Sequence, residues 1–142
     1  MSIETLIEDF SFLDEWEDRY RYVIELGKGL EPLSEAEHDP RYKVQGCASQ
    51  VWLIAEPDSS STPVRLHLRG DSDAHIVRGL IAILLEIYSD KTPEEILSID
   101  ALALMRKLGL EEHLSPQRSN GLVAMINRIR QHAQALSSTA SH

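Results

Sequence analysis

Apolar residues recur at helical spacing through most of the chain and switch to a period of two only near its middle. Ile3, Leu6, Ile7 and Phe10 form one helical stripe. Asp14-Glu15-Trp16-Glu17 has the form of a capping box opening a second helix, which continues with Tyr20, Val23 and Ile24 on one side. Gly27 and Gly29 are placed to end that helix in a left-handed exit. Residues 28–43, with Pro32 and Pro40, read as a surface connection with one short turn around Ser34 to Glu37. Period-two patterning then appears from Gln50 to Glu56 and from Val64 to Arg69, separated by a Ser- and Pro-rich turn. This predicts an antiparallel hairpin whose ladder stops at Pro57 and Pro63, with Lys43 to Gln45 as a short third strand.

Downstream the helical period returns. Ile76 to Tyr88 is apolar on nearly every side, as expected of a helix inside the core, with Asp71 or Ser72-Asp73 as its cap. Thr92-Pro93-Glu94-Glu95 opens a short helix through Leu97, and another runs from Asp100 to Leu108 and stops at Gly109. The last begins near Pro116 to Asn120 and repeats Leu122, Met125, Ile126, Ile129 and Ala133. Together these elements predict an α+β fold, a small antiparallel sheet of two or three strands with helices packed mainly on one face. One domain over residues 1–136 and a disordered tail over 137–142 complete the expected organisation.

With 142 residues the chain is one domain's worth, enough to bury about 68% of the surface exposed when unfolded. Fourteen basic residues face 23 acidic ones, a net charge of -9, which argues against a nucleic acid or an anionic membrane as partner. The most apolar stretch, Ile76 to Tyr88, is too short to span a bilayer and contains Arg78 and Glu86. Acidic Glu4, Glu8 and Asp9 stand where a secretory signal needs basic residues, so a cytoplasmic location is expected.

The chemistry concentrates at the single cysteine. Cys47 sits between Gly46 and Ala48, bracketed by Gln45, Ser49 and Gln50, just before the first strand. That surrounding makes it a candidate nucleophile at a loop tip, with a small inert hydrophobe as the alternative. Arg41 and Lys43 lie close enough along the chain to lower its pKa. Trp16 and Trp52 fall on amphipathic elements and read as packing residues. The six histidines show no paired ligand spacing and there is one thiol, so no metal is expected, and with no glycine-rich phosphate loop or nucleotide fingerprint no cofactor is expected either.

The string Val44-Gln45-Gly46-Cys47-Ala48-Ser49-Gln50-Val51-Trp52-Leu53 resembles the sulfur-acceptor loop of the SufE family. The resemblance extends to Trp16-Glu17, Tyr20 and Val23 to Gly27, then to Gly70 to Ala74 with Ile76 to Ile81, and to Leu114 to Leu122. It implies a fold shared with IscU-type scaffolds. It also implies a function: taking persulfide sulfur from a pyridoxal-phosphate-dependent cysteine desulfurase (SufS/CsdA-like) onto Cys47 and relaying it to downstream iron-sulfur scaffold proteins. Under it Arg118 is a desulfurase contact, against a plain helix-start arginine in water. Asp73 is a brace for the cysteine loop, against a simple helix cap. Two other classes stay open, a one-cysteine thiol redox enzyme and a regulatory binding module with an inert cysteine.

Overall fold

The computed structural model describes residues 2–60 and 62–140. Helices α1 (Ile3–Ser11) and α2 (Trp16–Gly27) come first, then a 3-10 turn at Pro40–Tyr42. Strands β1 (Val51–Asp58) and β2 (Arg65–Ser72) precede α3 (His75–Tyr88), α4 (Pro93–Ser98), α5 (Ala101–Lys107) and α6 (Pro116–Ala140). The expected α+β class holds, with six α-helices and one antiparallel pair among the described residues.

Helix α3 is the axis of the core because its sequence leaves no polar face to solvate. Leu80, Ile81, Ile83, Leu84 and Tyr88 are each at most 1% exposed. Truncating Leu84 to Ala is expected to cost about 2–5 kcal/mol, the range for a fully buried leucine. Helix α2 crosses α3 in backbone contact: a Cβ on Gly27 would lie 2.7 Å from the Gly79 nitrogen, and one on Gly79 would lie 2.1 Å from the Val23 carbonyl oxygen. This corrects the left-handed exit expected at Gly27 and Gly29. Only Gly46 and Gly109 have positive φ among the described glycines, so Gly27 serves close helix packing instead. Nor does the Asp14 capping box form, for the N-cap of α2 is Glu15 and makes no side-chain cap bond.

The hairpin pairs Val51 with Ser72 through Asp58 with Arg65. Its ladder runs past Pro57, which a two-stranded sheet permits because every strand is an edge. The third strand reduces to a single bridge, Lys43 with Trp52, held by the Val44 amide donating to the Val51 carbonyl at 2.8 Å. One face of the hairpin, carrying Leu66, Leu68 and Gly70, is buried toward the helices. The other is covered by the connection after α2. There Arg69 binds both carboxylate oxygens of Glu37 and reaches Glu56 at 3.0 Å. His38 bonds Asp71 at 2.9 Å and sets its ring edge-on to Trp52, 4.7 Å between centroids.

Downstream, Thr92 and Glu95 form a reciprocal capping box on α4, and Asp100 caps α5. Helix α6 continues through Ala140, into the stretch expected to be a disordered tail; residues 141 and 142 lie outside the described residues. No helix of the described residues is long and apolar enough to cross a membrane.

Candidate functional site around Cys47

Five residues, Gln45 to Ser49, separate two fixed points of the backbone. On the upstream side Val44 is 3% exposed and locked to Val51. Arg128 of α6 donates to the backbone carbonyls of Arg41 at 3.0 Å and Lys43 at 3.4 Å, and to His132 at 3.2 Å. On the downstream side Asp73 accepts from the Gln50 amide at 3.1 Å, while its own amide donates to the Gln50 carbonyl at 3.3 Å. Asp73 is therefore joined to the base of the loop. It does not cap α3, whose N-cap is Ala74 with no side-chain bond.

Between these points the chain turns at Gly46, φ 90°, a conformation that costs glycine nothing and other residues much. The turn lays Cys47 against α6. Its Sγ lies 3.6 Å from the Gly121 carbonyl, a weak S–H donation, and the residue is partly buried. Behind the thiol is a crevice of about 20 Å³ walled by Val51, Val77, Leu80, Gly121 and Met125, room for about one water-sized atom. Ala48, Ser49, Gln117 and Arg118 border it. Gln45, Ala48, Gln50, Gln117 and Arg118 are exposed, and Ser49 is half-buried.

Burial pushes the Cys47 thiol above its ordinary value, with no cation offsetting it. Arg41, expected to lower it, instead pairs with Asp39 at 3.3 Å and lies over the Tyr42 ring. Burial thus favours the protonated thiol, and a position outside the crevice would favour the thiolate. Trp16 stacks on His113 at 4.3 Å and Trp52 packs against His38, in keeping with the packing roles expected of both. Among the described residues no three His, Cys, Asp or Glu side chains gather as a metal site.

The structure brings Gln45, Gly46, Ser49, Gln50, Asp73 and Arg118 to one end of the molecule around Cys47. Sequence reasoning missed Arg128, whose targets lie over 80 positions away. It also missed Gly121 as a site residue, although a glycine early in a predicted helix was a usable signal.

The family whose description is Fe-S metabolism associated domain, SufE, matches residues 4–133. The chain belongs to the SufE family. A SufE-like protein of Rhizobium meliloti (strain 1021), itself uncharacterized, is 56% identical over 133 residues, covering 94% of this chain and 95% of the relative. A second, also uncharacterized, from Rhizobium etli (strain ATCC 51251 / DSM 11541 / JCM 21823 / NBRC 15573 / CFN 42), is 54% identical, covering 94% and 90%. The solution structure of a hypothetical protein from Thermus thermophilus superposes with a TM-score of 0.75 over 97% of this chain and 99% of that one. At 21% identity it attests the fold alone. Membership in SufE gives this chain a sulfur-transfer role in iron-sulfur metabolism.

Proposed function

We propose that this SufE-family chain accepts the outer sulfur of a persulfide formed on a pyridoxal-phosphate-dependent cysteine desulfurase, thereby speeds that enzyme's turnover, and relays the sulfur to iron-sulfur scaffold proteins in the cytoplasm. One observation carries the reading: a partly buried thiol at the tip of a five-residue loop, seated over a crevice of atomic size. In the transfer the Cys47 thiolate attacks the outer sulfur of the donor. A new S–S bond forms at Cys47 Sγ as the donor's S–S bond breaks, and the donor cysteine leaves as thiolate. No oxidant is consumed.

The raised thiol pKa supports a carrier that stays quiet until docked. A redox-sensing or peroxide-reducing cysteine works as an exposed, low-pKa thiolate, the opposite of this resting state. Exposed Gln45, Gln50, Gln117 and Arg118 around the loop form the surface we assign to the desulfurase. Arg118 makes no side-chain bond in the described structure beyond lining the crevice mouth, so its guanidinium is available to a partner.

An intact-mass spectrum after incubation with a cysteine desulfurase and free cysteine, without reductant, tests the reading. The expected result is a gain of one sulfur atom, removable by a thiol and absent in Cys47→Ser. If Cys47→Ser stimulated the desulfurase as wild type does, the chain would be a binding module and the carrier role would be wrong.

A further inference from the structure

The crevice behind Cys47 has one wall without a side chain. Gly121 is buried in α6, and a Cβ built on it would stand 3.5 Å from Cys47 Sγ and 3.7 Å from both Cα and Cβ of that residue. These are ordinary contact distances, so the reduced thiol would tolerate a methyl group there. A second sulfur atom would not. Bonded at about 2.05 Å from Sγ, it needs the space into which that methyl would project.

The apolar walls on the core side cannot retreat to make room. Val51, Val77, Leu80 and Met125 are at most 7% exposed and belong to the main core, where packing leaves little compliance. The crevice therefore has a capacity set by geometry, about 20 Å³, which suits one added atom and not a chain of them.

We infer that Gly121 is the specificity-determining residue of the carrier: its missing side chain creates a compartment for a single sulfane sulfur on Cys47, sheltered from attacking thiols, with no space for a polysulfide. This rests on the reading of Cys47 as a sulfur acceptor. It goes further by assigning the capacity for cargo to one position on α6.

The test loads the sulfur chemically, so that it does not depend on any desulfurase. Cys47 is converted to its mixed disulfide with thionitrobenzoate, and hydrosulfide then displaces that group. A bond forms between Cys47 Sγ and the incoming sulfur, and thionitrobenzoate leaves as thiolate. The decay of the resulting persulfide in dithiothreitol is followed by intact mass in wild type, Gly121→Ala and Leu6→Ala.

Because exchange rates follow access to the attacked sulfur, Gly121→Ala is expected to lose its sulfur about tenfold faster than wild type. Its free thiol should be alkylated at an unchanged rate, and its thermal midpoint should be equal or higher, since alanine is the better helix former. Leu6→Ala, a core truncation in α1 away from the crevice, should retain its sulfur as wild type does. Equal decay in wild type and Gly121→Ala overturns the inference, as does equally accelerated decay in both variants, which would mean general loosening. Val77→Ile fills the same space from α3 and repeats the readout should Gly121→Ala fail to fold. A persulfide that is long-lived here but never formed by a desulfurase would instead count against the acceptor reading and leave this inference standing.

Discussion

The connection over residues 30–43 and the cysteine loop over 45–49 are both short of apolar residues and follow one another along the chain, yet they are held in opposite ways. The connection is bound across the outer face of the hairpin by Glu37 on Arg69, by His38 on Asp71 and by the His38–Trp52 ring contact. Among the described residues the cysteine loop has one weak sulfur hydrogen bond, to Gly121, and the packing of Cys47 against the core, with its hydrogen-bonded grips at the two ends. Between those two ends lie five residues, Gln45 to Ser49. In the function proposed above, a tether this short would carry the thiol out by the reach of a loop tip and leave the sheet in place.

The sharpest way to break this contrast is to untie the connection. Arg69→Ala removes the guanidinium that holds Glu37 well down, to about 2, and also engages Glu56. We expect cleavage by a nonspecific protease within residues 30–43 to rise by about tenfold or more, because local opening governs such cleavage. If the cleavage pattern stayed unchanged, the connection would owe its order to something other than these ion pairs.

Next in size is the upstream grip. Arg128→Ala frees the carbonyls of Arg41 and Lys43 and lengthens the mobile segment. Iodoacetamide should then modify Cys47 about three- to tenfold faster, since a partly buried thiol is reached more readily when its segment opens. Arg128→Lys should rescue the effect only in part, because a single ammonium lacks the guanidinium fork. An unchanged rate would show that the loop opens without using that end.

A smaller effect is expected at the downstream grip. Asp73→Ala removes the acceptor of the Gln50 amide, and we expect an increase of about two- to threefold in Cys47 alkylation, as one backbone amide is released to water. Asp73→Asn, which keeps an acceptor oxygen, should stay near wild type.

The smallest effect concerns pH. The hydrogen bond to Asp71, helped by the Ser34 carbonyl, raises the His38 pKa above 6.5. A group whose folded pKa is raised contributes stability that is fully present below its unfolded value and is lost as pH rises through the folded one. The connection should therefore hold best in mildly acidic solution and loosen above pH 6.5. In a Trp16→Phe background the emission of Trp52, edge-on to His38, should titrate with a midpoint above 6.5, and His38→Gln should abolish the transition. A midpoint on the acid side of that value would reverse the sign of this contribution.

What could be read in advance follows the range of the interactions involved. Helix α4 was legible in four letters, Thr92 to Glu95, because its capping box is local. Helix α3 was legible because it is apolar on almost every side. Gly27 was misjudged because its partner, Gly79, lies in another helix, and a helix stop and a close crossing demand the same residue. Asp73 was placed near a helix start correctly, but its bond runs back to Gln50 across the hairpin, which no local rule anticipates.

The sequence by itself determined the class of fold and the hairpin and singled out Cys47 as the candidate nucleophile, since periodicity, caps and a lone thiol among small residues are properties of neighbours along the chain. Only the tertiary structure decided how that thiol is kept. The Asp73 grip, the Gly121 wall and the Arg128 grip join groups 23 to 87 positions apart, and the raised thiol pKa and the one-atom crevice depend on the same packing. Burial and hydrogen-bond geometry between such groups exist only after the chain has folded.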